Sequence, residues 1–211
     1  MKRIKKEYYF IAILLICFTL LSLFVAFGKM DVIDKNIFDN IIKIKNTPLT
    51  EFLRVITHLA STIGISVLVV LTGILFYTKK DLSSFKYVVI NVISGVVLMQ
   101  VIKHIIKRAR PAWKWIVQDG FSYPSGHTIS AFLLYGTLML LVYKKVHGKF
   151  RKSLLIGFTL MIILTGISRI YFGAHYVSDV LGSVILGTII LIISNMFMNK
   201  EFNGVKDKTK K

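Results

Sequence analysis

A single cysteine, Cys17, lies inside an apolar run, so the chain can form no intrachain disulfide and assemble no thiolate metal site. Acidic residues are scarce, 10 Asp+Glu against 28 Lys+Arg for a net charge of +18. The three prolines, Pro48, Pro111 and Pro124, all fall outside the long apolar runs. Charged residues of either sign make up only 18% of the 211, while 55% are hydrophobic, which excludes a disordered or nucleic-acid-binding tail protein. A mean hydropathy of +0.67 beside so much positive charge means that the two are segregated along the chain. Segregation of this kind marks a membrane protein.

A span needs about 20 mostly apolar residues to cross the hydrocarbon. Six runs are candidates: Tyr8 to Phe27, Thr57 to Tyr77, Tyr87 to Val101, Thr128 to Tyr143, Leu154 to Ile167 and Val180 to Met198. The third, fourth and fifth are short by apolarity alone, and the polar residues beside them are expected to supply their last helical turns. Lys2, Arg3, Lys5 and Lys6 give the first run the basic front of a signal peptide, but its apolar stretch is too long, so an uncleaved anchor is expected. The predicted fold class is all-α: a polytopic bundle of six transmembrane helices forming one domain over residues 1–211, with no internal repeat. A lysine-rich tail over 200–211 is expected to be disordered and drawn to anionic lipid.

Six spans put both termini on one side, and Lys and Arg accumulate in cytoplasmic loops. The N-terminal stretch, the second and fourth loops and the tail carry 17 of them, the opposite side 11. The termini are therefore expected in the cytoplasm. In the first external loop Ile33, Ile37, Phe38, Ile41 and Ile42 recur at helical spacing. A short amphipathic helix at the interface, ending near Asn46-Thr47-Pro48, is expected there, with a solvated connector as the alternative.

Three segments at the external ends of spans carry ionisable residues that a bilayer penalises when they are idle. One runs from Lys103 to Arg110-Pro111, one is Pro124-Ser125-Gly126-His127, and one runs from Ser168-Arg169 through His175 to Asp179. Lys103, Arg110 and Arg169 suit phosphate, because the guanidinium fork matches its oxygens and lysine adds a point charge, with headgroup anchoring or snorkelling at the interface as the plainer alternative for any one of them alone. Ser125 and Gly126 read as a helix start whose backbone N–H groups and positive dipole end cradle an anion, with an ordinary N-cap as the plainer alternative. If the last span begins near Ala174, Asp179 lies one turn beyond His175 on the same face and can hold one imidazole N–H, leaving the other nitrogen as a nucleophile. Asp179 and Asp119 are the only nearby carboxylates, too few oxygens for Mg²⁺.

Together these segments resemble the signature of the type 2 phosphatidic acid phosphatase (PAP2) superfamily, which includes bacterial lipid phosphatases and the vanadium haloperoxidases. Eleven identities match in order: Lys103, Arg110, Pro111, Pro124, Ser125, Gly126, His127, Ser168, Arg169, His175 and Asp179. The resemblance implies a membrane lipid phosphatase in which His175 is the nucleophile and forms a phosphohistidine. Asp179 then orients it, His127 is the general acid and base, and Lys103, Arg110, Ser125, Gly126 and Arg169 bind the phosphoryl group. It implies no cofactor and no metal, and as partners a phosphorylated lipid and the bilayer, with no nucleic acid and no obligate protein. The expected location is the cytoplasmic membrane with the active site outward. Bacterial members act on undecaprenyl diphosphate, phosphatidylglycerophosphate or phosphatidic acid, and the outward site makes undecaprenyl diphosphate the first choice. A headgroup phosphotransferase shares every residue named, and a phospholipid-binding or transport protein would use the same cationic pocket without turnover. Six spans argue against a soluble haloperoxidase.

The remaining noticeable residues have structural readings. His58 and His104 are expected to be hydrogen-bonded or interfacial, and Trp113 and Trp115 to anchor at headgroup level. Tyr171 and Phe172 are expected to pack the turn between the catalytic segments, and Gly157, Gly166, Gly182 and Gly187 to allow close helix approach.

Overall fold

The computed structural model describes the backbone of residues 2–113, 116 and 118–208 and the side chains of 6–113, 116 and 118–198. Among them are eight helices: α1 (Lys2–Ala26), α2 (Asp31–Lys43), α3 (Thr47–Leu59), α4 (Thr62–Thr78), α5 (Leu82–Ile106), α6 (Gly126–Lys145), α7 (Lys149–Tyr171) and α8 (Val177–Lys208). Five of these, α1 and α5 to α8, are long and apolar enough to cross a membrane. The pair α3 and α4, bent by 58° at a short break, makes a sixth candidate when the two are taken together as one span. The chain is thus a multi-pass membrane protein with the expected architecture. As expected, the three short runs borrow polar ends: α5 carries Lys103 in its last turn, α6 begins with Gly126 and His127 and ends on Lys144 and Lys145, and α7 carries Ser168 and Arg169.

Helix α6 is the centre of the bundle and packs on α5, α7 and α8, while α1 lies on α8 and α3 on α7. Ile129, Leu133 and Leu134 of α6 and Val88 of α5 are fully buried. Large apolar side chains such as Ile13, Ile16, Val67, Ile74, Ile93 and Ile163 face outward instead. Such a surface is stable against lipid and costly against water. Docking of α1 on α8, together with a hydrogen bond between Ser22 and the Tyr123 hydroxyl at 2.9 Å, makes the first span part of the bundle. Tyr123 itself sits on Gly182, where any Cβ would fall 2.6 Å from the ring. Gly166 and Gly187 are also close to neighbours, but Gly157 has open space where a Cβ would be, so that glycine serves no close approach.

The external segment departs from expectation in one respect. Amphipathic α2 is there, burying Phe38 and Asp34, and it ends before Asn46. Pro48 then begins a second helix that hydropathy does not separate. The Asn46 side chain accepts from Leu49 N at 2.9 Å, and proline fits the first turn because its missing N–H has no partner there anyway. The expected second span from Thr57 is therefore broken at Ala60–Ser61, where Ser61 caps α4 by accepting from Gly64 N at 3.1 Å.

Helix α8 continues to Lys208, whereas disorder is expected from residue 200. The segment has no proline and several lysines, which are good helix formers, and the helix runs through Asn203 and Gly204. The last three residues, and the anchor role expected of Trp115, lie outside the described residues.

Candidate active site

The three motif segments meet at one end of the bundle because they belong to alternate connections: the end of α5 and start of α6, then the end of α7 and start of α8. Lys103, in the last turn of α5, is buried, and its Nζ donates to Phe121 O at 2.7 Å. Arg110 lies in the following loop. Its Nε donates to Asp119 O at 3.1 Å and Gly120 O at 3.0 Å, and its Nη1 donates to Ala174 O at 2.9 Å. The same Nη1 is 3.3 Å from His175 Nε2. Burial lowers the proton affinity of Arg110, with Asp179 and Asp119 opposing.

His175 is buried in the turn between α7 and α8, two residues before α8 begins, so it does not share a helical face with Asp179 as expected. Asp179 sits in the first turn of α8 and reaches back. Its Oδ2 accepts from Tyr176 N at 3.0 Å, the reciprocal contact of a helix cap, and lies 3.3 Å from His175 Nδ1. The Ser122 hydroxyl also donates to Oδ2 and is 3.4 Å from His175 Nδ1. An N–H donor at Nε2 and a carboxylate at Nδ1 select the tautomer protonated on Nδ1 and leave the Nε2 lone pair facing Arg110. Burial drives the imidazole from its ordinary 6.5 down to about 4, against Asp179, which raises it; Arg169 and Arg110 add to the fall. The ring is neutral at pH 7.

Arg169, in the last turn of α7, is almost fully buried. Its Nη1 donates to Thr57 Oγ1 of α3 at 2.5 Å and its Nη2 to Gln118 Oε1, while Nε has no partner among the described residues. A buried guanidinium N–H left unpaired is costly, and an anion oxygen in the site would satisfy it. His127, the second residue of α6, faces Arg169, Arg110, Lys103 and the His175 imidazole.

Ser125 departs from the expected cradle. It is fully buried as the N-cap of α6, its Oγ accepting from Thr128 Oγ1 at 3.0 Å and Thr128 N at 3.5 Å. Its backbone N–H is not aimed outward but donates to Asp179 O at 3.3 Å. Ser183 Oγ donates to Ser125 O at 3.0 Å, which ties the starts of α6 and α8 together. Ser125 thus serves as a cap and a brace, and the donor end of α6 begins at Gly126.

Sequence reasoning passed over Arg108, Ser122, Thr57, Gln118 and Asp34. Three of the chain's 10 acidic residues, Asp31, Asp34 and Asp179, converge on Arg108, from positions too far apart in the sequence to signal it. Trp113 stacks on Phe38 of α2 at 5.0 Å and meets Tyr176 edge-on at 5.8 Å. His104 has a structural role, with Nδ1 2.8 Å from Gln100 O, and Tyr171 and Phe172 pack with Leu53 of α3 as expected.

Residues 84–203 match the PAP2 superfamily model. Phosphatidylglycerophosphatase B of Bacillus subtilis (strain 168) is 29% identical over 194 residues, covering 89% of this chain and 94% of that protein. The crystal structure of a transmembrane PAP2-type phosphatidylglycerolphosphate phosphatase from Bacillus subtilis superposes with a TM-score of 0.81 at 28% identity, over 90% of this chain and 96% of that one. The structure of Aquifex aeolicus LpxE, 24% identical, shares the fold with a TM-score of 0.64 over 76% of this chain and 93% of its own.

Proposed function

The chain belongs to the PAP2 superfamily as a membrane lipid phosphatase, and from that premise we propose that it transfers the terminal phosphoryl group of a lipid phosphomonoester or diphosphate through His175 to water. The observation that carries this is the imidazole held between Asp179 at Nδ1 and Arg110 at Nε2, each 3.3 Å away. Nε2 attacks phosphorus as the bond to the leaving oxygen breaks, and His127 gives that oxygen its proton. Asp179 stabilises the imidazolium character that develops, as the carboxylate does in serine hydrolases. Lys103, Arg110, Arg169 and the α6 start at Gly126 hold the three equatorial oxygens, with Ser125 bracing that helix start. Water then attacks the phosphohistidine, His127 takes its proton, and inorganic phosphate leaves as the His175 lone pair is restored.

No metal is needed in this scheme. Asp179 spends both carboxylate oxygens on protein donors, Oδ1 on Arg108 and Oδ2 on Tyr176 N and Ser122, so it has little left for a hard cation. The counter-charges are arginines and a lysine.

The substrate class follows from the site and its place at the end of a membrane bundle. Undecaprenyl diphosphate is favoured by an outward-facing site, and phosphatidylglycerophosphate by the name of the Bacillus subtilis relative. The test measures phosphate release from each lipid by detergent-purified protein in excess EDTA, comparing wild type with His175→Ala. Wild type is expected to turn over at least one of them, and the variant to lose at least about 10³-fold. Binding of both lipids without release, or a requirement for a divalent metal, defeats the scheme in favour of a binding or transport protein. Phosphate appearing on an added alcohol acceptor in place of water identifies a phosphotransferase.

A further inference from the structure

Arg108 is buried two residues before Arg110, yet it points away from the phosphoryl-binding cations. Its Nη1 donates to Asp179 Oδ1 at 2.8 Å and to Ser178 Oγ at 2.7 Å. Its Nη2 donates to Asp34 Oδ2 at 2.8 Å and Asp31 Oδ1 at 2.9 Å, both on α2. The guanidinium carbon lies 3.8 Å from the centre of the Tyr176 ring, which closes one face. Asp34 is itself fully buried and takes two further hydrogen bonds from the start of α8, from Ser178 N at 2.9 Å and Ser178 Oγ at 2.5 Å.

These contacts form one connected relay from α2 through Arg108 to Asp179 and His175. A buried carboxylate such as Asp34 is stable only when paired, and here its partners are Arg108 and the first turn of the helix that carries Asp179. The two α2 carboxylates hold one edge of the guanidinium fork, which fixes the other edge on Asp179 Oδ1 and leaves Oδ2 for His175.

We propose that Arg108 is a positioning residue for the transfer to His175, locked by Asp34, so that amphipathic α2 is a working part of the active site. This rests on the phosphatase reading. Arg108 does not touch the phosphoryl group. It sets the direction of the Asp179 carboxylate and neutralises part of its charge, which keeps the His175 ring in the orientation and protonation state needed for attack. The groups that face His175 are Asp179 and Ser122, Arg110 from its loop, Arg169 of α7, and His127 of α6. Lys103 of α5 interacts with Arg110, Arg169 and Asp179. Arg108 acts on this set through Asp179 alone.

The experiment compares wild type with Arg108→Gln, Arg108→Lys, Asp34→Asn and the Asp34→Asn/Arg108→Gln double variant on the lipid that wild type turns over best. Misplacement of the nucleophile predicts that Arg108→Gln lowers kcat about a hundredfold with KM changed less than about threefold. Arg108→Lys keeps the charge without the fork, so it recovers part of that loss. With Asp179 less neutralised, the imidazolium of His175 is favoured, and the acidic limb of kcat/KM in Arg108→Gln moves to higher pH. Asp34→Asn loosens Arg108 and also releases Ser178 at the start of α8, so the double variant is expected to be slower than Arg108→Gln by much less than the product of the two single losses. If Arg108→Gln does not fold, Ser178→Ala, which deletes the hydroxyl bridging Arg108 and Asp34, is expected to lower kcat several-fold at unchanged KM.

The proposal is overturned if kcat survives Arg108→Gln within threefold. It is also overturned if Gln and Lys variants lose stability and activity alike with an unmoved pH profile, if the Asp34 and Arg108 losses multiply, or if the fallback Ser178→Ala keeps full kcat. Absence of turnover in wild type, or full activity in His175→Ala, instead defeats the phosphatase reading itself.

Discussion

His175 meets its carboxylate from outside the helix, and that placement sets its chemistry. An imidazole in a turn can be buried from all sides, and burial is what drives it down to about 4. The sign for stability follows directly. Between the ordinary value of 6.5 and the folded value near 4, the unfolded chain holds a proton on this ring and the folded chain does not. His175 therefore contributes a loss of stability as pH falls from about 6.5, complete near 4. We expect the unfolding midpoint in detergent to drop between pH 7 and pH 4.5, and the drop to be smaller in His175→Gln, which has no group to protonate. An unchanged slope in that variant would mean that other groups carry the whole pH dependence. At this scale the sequence was legible where chemistry depends on residue type: Lys103, Arg110, His127, Arg169, His175 and Asp179 meet at one end of the bundle. It was illegible where a donor is consumed by the fold, as when Ser125 N–H bonds to Asp179 O. A motif states which groups are available, and only the backbone path states which are already spent.

The elements teach the same lesson through α3. An apolar run from Thr57 to Tyr77 satisfies any hydropathy window, and hydropathy has no term for a 58° bend. The local signals were a cap residue, Ser61, and a glycine three positions later, the kind of evidence that marks a helix start inside an apolar stretch. Gly64 is where the bend is enforced. A Cβ there would fall 2.4 Å from both His58 O and Leu59 O, and backbone carbonyls cannot give way without altering the angle. That angle matters to the site, because α3 brings Thr57 to Arg169 and Thr50 Oγ1 within 2.6 Å of the Tyr171 hydroxyl. Gly64→Ala is therefore expected to destabilise by about 1–3 kcal/mol as overpacking does, and to weaken turnover with it. Gly157→Ala, where a Cβ meets nothing within 4 Å, is the matched control and is expected to be neutral or slightly stabilising. Thermal unfolding in detergent separates the two, and equal effects would remove the special role of Gly64.

At the scale of the whole molecule, connectivity decides where the site sits. The connections α1 to α4, α5 to α6 and α7 to α8 lie at one end, so the motif residues and the short helices α2 and α3 gather there. The other end carries Lys79, Lys80, Lys86, Lys144, Lys145, Lys149, Arg151 and Lys152, with the start of α1 and the end of α8. The positive-inside tendency favours an orientation with that lysine-rich end in the cytoplasm and the site outward, which is open to direct test. The bias of 17 against 11 understates the asymmetry, because Lys103, Arg110 and Arg169 belong to the site whichever way the chain inserts; leaving them out, the outer side holds 8. Ala112, exposed in the loop beside Arg110, reports the side directly. In a Cys17→Ser background, Ala112→Cys is expected to react with a membrane-impermeant maleimide in intact cells, and a cysteine at Lys149, at the opposite end, only after lysis. The reverse pattern would place phosphate release in the cytoplasm, and with it would go the reason for favouring a carrier lipid that is discharged outside.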